Sequence, residues 1–196
     1  MAPRQNTVVG TDGKARCGWA SADPLYEKYH DREWGRPLKD DHALFELLIL
    51  EGCQAGLSWI TVLRKREHYR KVYDAFDPAK IARYTPPKLA KLLADPGIIR
   101  HRGKIDASVS NAKAFLKLVE REGSFHRWLR KTVGEQTHAR PRTLKDVPAR
   151  TPGSDALAKA LAKEGFKFVG STICYAFMQA SGLVDDHVVG CHRRKE

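Results

Sequence analysis

Apolar residues recur at intervals of three and four along most of this chain, and nowhere alternate at intervals of two over a useful length. Ile105, Val109, Ala112, Leu116 and Val119 step by four, three, four and three. That spacing marks one face of an α-helix and excludes a half-buried strand. Capping signals divide the chain. Asp23-Pro24 and Asp77-Pro78 each set an N-cap acceptor before a proline, and the first opens a helix to about His30. Asp40 or Asp41 caps a helix with Leu44, Leu47 and Leu48 on one face, running to about Gln54 before Gly56. Ser58 starts a third, with Trp59, Val62, Leu63, Tyr69, Tyr73 and Phe76 inward and Arg64 to Glu67 mostly outward. Pro87 to Ala94 form a short helix, Ser124 caps a segment holding Phe125, Trp128 and Leu129, and Ser154 caps a helix through Leu161. A turn from Gly165 to Gly170 leads into a helix from Ser171 to Ser181. The fold class is all-α.

Met1 to Arg16 read as a flexible leader and His192 to Glu196 as a basic tail, which leaves Cys17 to Cys191 as a single domain with room for two helical lobes. The stretch from Gly134 to Gly153, with Pro141, Pro148 and Pro152, reads as a connector. A chain of 196 residues buries roughly 70% of its unfolded surface and needs no staples. With 42% hydrophobic and 30% charged residues, disorder is excluded as its main state. The most apolar run, Ile173 to Val184, is broken by Gln179 and Ser181, too short for a membrane span. The leader has no apolar core of a secretory signal, so the expected location is cytoplasmic. Net charge is +12. Leader and tail each carry three cations and one anion, so +8 belongs to the body. A basic body suits a polyanion such as nucleic acid; an arginine-rich lineage would leave the same excess.

Of four cysteines, Cys53 and Cys174 lie in apolar helical settings and read as core. Cys17 precedes His30 by thirteen positions, and His187 precedes Cys191 by four. Two thiolates and two imidazoles make the closed tetrahedral set that structural zinc prefers. Such a site would tie the N-terminal segment to the C-terminal one. No Cys-x-x-Cys is present, four unrelated residues would look the same, and His192 could replace His187 or Cys191. A reducing cytosol disfavours a disulfide.

Large rings crowd the N-terminal third: Trp19, Tyr26, Tyr29, Trp34 and Trp59. Tyr26 and Tyr29, three apart, share a helix face. Glu51 follows Leu44 by seven and Leu47 by four, which sets a carboxylate on a face of core leucines, a costly place unless it is paired. Flat aromatic walls suit a heterocyclic base, above all a cationic one, and a carboxylate would accept from its exocyclic amine. An aromatic core with Glu51 paired to an arginine is the structural alternative. Two turns suit a nucleic-acid backbone: Gly165 to Thr172, whose N–H groups would face a phosphate at the next helix N-terminus, and the basic Asp95 to Lys104. Either alone could instead be a solvated loop; both together, on a body at +8, favour DNA.

Several strings occur in order: RCGW (16–19), DPLYEKYHDREWG (23–35), LEGCQAGLSWITVLRKRE (50–67), GIIRHRGKI (97–105) and GFKFVGSTICYAFMQASGLVDDHVVGC (165–191). Together they closely resemble the DNA-3-methyladenine glycosylase I family, from about Cys17 to Cys191. The resemblance implies a helix-hairpin-helix DNA glycosylase fold with one structural zinc ion. It implies hydrolysis of the N-glycosidic bond of N3-methyladenine in alkylated double-stranded DNA by a monomer. By position, zinc falls to Cys17, His30, His187 and Cys191. Base recognition falls to Glu51, stacking to Trp59, and the pocket walls to Trp19, Tyr26, Tyr29 and Trp34, with Tyr29 helping to orient the base. The hairpin falls on Gly165, Lys167, Gly170, Ser171 and Thr172, and the loop that plugs the gap left by the extruded nucleotide on Gly56 and Leu57.

A base inside a duplex must be flipped out before it can be cut, and a weakly stacked, damaged base costs less to extrude. No lysine is placed for Schiff-base chemistry, so a monofunctional enzyme is expected. In the wider superfamily an aspartate often follows the hairpin; Asp185 stands near that place, with capping or solvation as its other roles. The rival reading is a non-catalytic, zinc-stabilised DNA-binding module.

Overall fold

A computed structural model describes residues 5–20, 23–135 and 141–194. The first four leader residues, part of the connector (136–140) and the end of the tail (195–196) lie outside the described residues. The described chain opens on a hairpin, β1 (Thr7–Val9) against β2 (Ala15–Cys17), antiparallel with Thr7 opposite Cys17. From residue 7 onward the leader is therefore not a flexible tether. Strands of three residues carry no readable alternation, and side chains hold this hairpin. The Arg16 guanidinium, only 4% exposed, forks between Asp12 at 2.8 Å and Asp31 at 2.7 Å. The tail is fastened to the same place: His192 N–H donates to the Ala15 carbonyl at 2.8 Å, and Arg194 to that of Pro141 at 2.6 Å.

A 3₁₀ turn (Gly18–Ala20) leads to α1 (Pro24–Arg32), whose first N–H groups bond to the Asp23 carboxylate as its capping signal implied. Asp40 caps α2 (Asp41–Gln54). Asp41 works elsewhere, accepting from the N–H groups of Phe125 and His126 at the start of α8 (Phe125–Val133), each at 2.8 Å. The third expected helix is broken into α3 (Trp59–Leu63) and α4 (Arg66–Val72), followed by a 3₁₀ turn (Asp74–Phe76) with left-handed backbone at each residue. Tyr84 and Lys88 hold that turn through Asp74. The bends keep Trp59, Val62, Leu63, Tyr69, Tyr73 and Phe76 all buried. Next come α5 (Pro78–Ile81), α6 (Pro86–Ala94) and α7 (Arg102–Glu122). After α8, α9 (Pro152–Lys163) starts three residues earlier than Ser154 implied: Thr151 is the cap and Ser154 its reciprocal capping-box partner. Finally α10 (Ser171–Ala180) packs against α9 and α2.

Two helices decide the site. From Leu48 to Cys53, α2 is buried at every position, the mark of a central helix, and Glu51 sits in that stretch. On α7 the buried face is rotated from the expected stripe. Leu116 is 36% exposed, while Lys104, Ser108 and Asn111 are buried beside Ile105, Ala112, Phe115 and Leu118. Polar residues on the inward face concealed the phase.

Candidate aromatic pocket and candidate metal centre

The 3₁₀ turn, α1, the ends of α2 and α10, the start of α3 and the connector enclose a cavity of about 640 Å³. The expected aromatics all line it. Trp19 lies 5.0 Å from Tyr26, 6.4 Å from Tyr29 and 4.9 Å from Trp34 between ring centroids, and Tyr29 lies 5.5 Å from Trp59. Glu51 reaches the same cavity and is 2% exposed. Its Oε2 has no hydrogen-bond partner among the described residues, nor does Trp59 Nε1. Burial alone raises the Glu51 carboxyl to about 8. Among the described residues no guanidinium compensates it, so the structural alternative of an arginine-locked carboxylate is not seen there. Burial, with Glu51 close by, also lifts the Tyr29 phenol.

Sequence reasoning missed several wall residues. Gln54 follows Glu51 by three on α2, and Gln179 comes from α10. Asn6, Leu144, Lys145 and Val147 form a side of the cavity, where Leu144 N–H donates to the Asn6 side chain at 3.2 Å. Asp186 lines the cavity, 1% exposed, and accepts from the Tyr175 hydroxyl and the Gln179 amide. Asp185, the aspartate singled out from sequence, does not line it. Its carboxylate accepts from the His187 N–H at 3.2 Å. Adjacent aspartates in an irregular segment give no periodicity by which to choose between them.

Behind Trp19 and Trp34 lie Cys17, His30, His187 and Cys191, all buried, with one donor atom of each within 4.8 Å of the others. Cys17 Sγ is 3.6 Å from His187 Nδ1, and Cys191 Sγ is 3.4 Å from His30 Nε2 and 3.5 Å from His187 Nδ1. Metal–sulfur and metal–nitrogen bonds of about 2.3 and 2.0 Å give a tetrahedron with sulfur–nitrogen edges of about 3.5 Å. The cluster thus fits one four-coordinate ion, and both cysteines are free of disulfides. His192 is not in the set; its ring faces the Ala15 carbonyl and Asp31. His30 turns Nδ1 to Asp31 at 2.8 Å, and Arg16 grips that carboxylate, a support that fixes which ring nitrogen faces the cluster. Gly35, at φ +71°, passes so close that a Cβ there would sit 3.0 Å from His187 Nε2.

The methyladenine glycosylase family model matches residues 19–194. The chain belongs to the methyladenine glycosylase family. It is 55% identical over 177 residues to DNA-3-methyladenine glycosylase 1 of Escherichia coli (strain K12), covering 90% of this chain and 95% of that protein. To DNA-3-methyladenine glycosylase of Haemophilus influenzae (strain ATCC 51907 / DSM 11121 / KW20 / Rd) it is 48% identical, covering 90% of this chain and 96% of that protein. Its structure superposes on 3-methyladenine DNA glycosylase I of Staphylococcus aureus with TM-score 0.86 at 36% identity, covering 91% of this chain and 95% of that one. The chain is a glycosylase, and the non-catalytic alternative is set aside.

The methyladenine glycosylase chain presents its expected DNA-contacting residues on two loops. Gly56, at φ +80°, turns the chain between α2 and α3 and leaves Leu57 41% exposed. Between α9 and α10, Gly165, Lys167, Gly170 and Thr172 are exposed, Ser171 is half-buried, and no side chain caps α10. Lys104, from the other basic turn, points inward onto backbone carbonyls. Among the described residues, no helix is long and apolar enough to cross a membrane.

Proposed function

We propose that the aromatic cavity receives N3-methyladenine flipped from alkylated double-stranded DNA and that the enzyme hydrolyses its N-glycosidic bond without lyase activity. The observation that carries this reading is the unpartnered, buried Glu51 carboxylate opening onto aromatic walls. Such a group is destabilising until a ligand completes it. The alkylated base completes it twice over, with a cation for the rings and an amino group for Glu51. A neutral adenine would offer the same amino group but no positive charge to the rings and the carboxylate, and so would be held less well.

The reaction needs little acid assistance, since the methylated ring already carries positive charge. The N9–C1′ bond breaks with its electron pair going to the base, which leaves neutral. Charge passes to the sugar, and water adds at C1′ with loss of a proton, giving an abasic site. Trp59 stacks on the base, Tyr29 orients it, and Trp19, Tyr26 and Trp34 exclude water. The loop at Gly56 and Leu57 fills the space left in the stack. The α9–α10 turn acts as a helix-hairpin-helix element, offering the N–H groups of α10 and Lys167 to a phosphate. The enzyme works as a monomer in the cytoplasm.

Cys17, His30, His187 and Cys191 would hold a single structural zinc ion. The ion would supply no open coordination position, only a tie between β2, α1 and the C-terminal segment. Release of free 3-methyladenine from methylated duplex DNA tests the activity; a purified, metal-replete protein that releases none overturns it.

A further inference from the structure

Two of the three polar residues on the inward face of α7, Lys104 and Asn111, each grip one of the two loops just described, while the Ser108 hydroxyl donates to the Ile105 carbonyl of its own helix. Lys104 is 9% exposed. Its Nζ donates to the carbonyls of Cys53 at 2.8 Å and Ala55 at 2.7 Å. These are the last turn of α2 and the residue before Gly56, so an ammonium closes the end from which Leu57 projects. Two turns further along, Asn111 is 4% exposed. Its amide donates to the Lys167 carbonyl at 3.0 Å and accepts from the Lys167 N–H at 2.8 Å. Asn111 thus holds the α9–α10 turn by its backbone, beside Phe168, a non-glycine residue at φ +57°. That turn rests on α2 at Gly52, where a Cβ would lie 3.4 Å from Phe168 Cβ, in ordinary van der Waals contact.

A buried cation and a buried amide on a face that could have been apolar call for a reason. An aliphatic side chain at either position would pack but could not satisfy these loop carbonyls. We propose that Lys104 and Asn111 are positioning residues: α7 is a strut that fixes the Leu57 loop and the α9–α10 turn relative to each other, so that wedge and backbone grip engage the same stretch of DNA. The proposal rests on the DNA-contacting roles given to those loops. Lys104 touches neither the base nor the sugar; it acts through Leu57.

A double-mutant cycle tests this. Single-turnover release of 3-methyladenine from methylated duplex is measured for Lys104→Met, Leu57→Ala and the pair. Lys104→Met lowers release about tenfold, the rate equivalent of one charged hydrogen bond. Leu57→Ala lowers it similarly, and the double variant loses little more than the worse single, the signature of groups acting as one unit. Affinity for free 3-methyladenine, read by tryptophan quenching, stays within about twofold of wild type, and Lys104→Arg restores part of the rate. Losses that multiply, or a parallel loss of free-base affinity, overturn the strut while leaving the wedge intact. A fully active Leu57→Ala enzyme overturns the wedge and the strut with it. Should Lys104→Met not fold, Asn111→Ala carries the same cycle.

Discussion

Two sets of buried ionisable groups lie on either side of the Trp19–Trp34 wall, and they handle burial in opposite ways. In the cluster of Cys17, His30, His187 and Cys191 every donor faces the other donors, so one small ion of the kind proposed would complete the set and seal it. In the cavity, Glu51 faces open space bordered by rings, so the flat, cationic base proposed as ligand would complete it and then leave. The first arrangement suits folding, the second binding. The wall joins them: Trp19 lies 5.3 Å from His30, and Trp34 lies edge-on to His187 at 4.7 Å. Closing the cluster therefore sets the angle of the cavity's own walls.

On the proposed zinc site, removing the ion would make the largest break. Stripping metal, or Cys17→Ser, takes away binding energy that is also folding energy, costing about 4 kcal/mol or more. For a chain of this size that lowers Tm by roughly 10 °C or more. Scanning calorimetry before and after chelation, with atomic analysis for zinc, checks it. Because Trp19 and Trp34 rest on the histidines, the loss should also weaken free-base binding. Unchanged Tm and zinc-free protein would separate the two regions altogether.

Glu51→Gln tests the opposite side of the wall. It keeps the shape and removes the anion, lowering base release by roughly 10²-fold, the scale of one preorganised charged contact to a reacting group. Nonspecific DNA affinity should stay within about twofold. Stability moves the other way. The Glu51 carboxyl titrates near 8 when folded against an ordinary 4.5. Between those values the folded chain holds a proton that the unfolded chain has lost, so wild-type stability falls as pH rises, levelling off above about 8. Glutamine does not titrate, so the variant gains on wild type across that window and is the more stable enzyme at pH 8. The acceptor is the anion, so wild-type kcat/KM rises with pH toward about 8 and the variant's does not. Denaturant melts and rates at matched pH decide it; a variant that tracks wild type would mean Glu51 is already ionised.

A smaller effect is expected from the rings. Trp59→Ala removes one stacking face, worth about 1–3 kcal/mol, or on the order of tenfold in affinity for free 3-methyladenine by titration calorimetry. An unchanged affinity would assign the stacking to another wall.

What could be read in the sequence follows from how local each signal is. The Asp23-Pro24 and Asp77-Pro78 caps need only adjacent residues, and both helices begin where those signals stand. Glu51 and the aromatics were legible because a charge among leucines is conspicuous at helical spacing. The phase of α7 was not, because Lys104 and Asn111 look like solvent-facing residues until the loop carbonyls they serve are in place. The hairpin from Thr7 to Cys17 was hidden because its pairing depends on Arg16 meeting Asp31 from another element. Cys17 and His187 lie 170 positions apart, and no spacing rule spans that distance; the ligand chemistry suggested the set, and the family motifs strengthened it.

The pair Asp185 and Asp186 carries the comparison to its finest scale, since one neighbour faces the backbone and the other the cavity. Asp185 caps the His187 N–H, on the side of the metal cluster, while Asp186 lines the cavity with Tyr175 and Gln179 on its carboxylate. Asp185→Asn retains an acceptor for that N–H, so base release stays within about twofold of wild type and Tm moves by no more than a few tenths of a kcal/mol would cause. Asp186→Asn removes an anion from the wall around a developing sugar cation, and is the more harmful of the two. Single-turnover release by both variants ranks them, and a larger loss from Asp185→Asn would mean that the turn before His187, not the cavity wall, controls the chemistry.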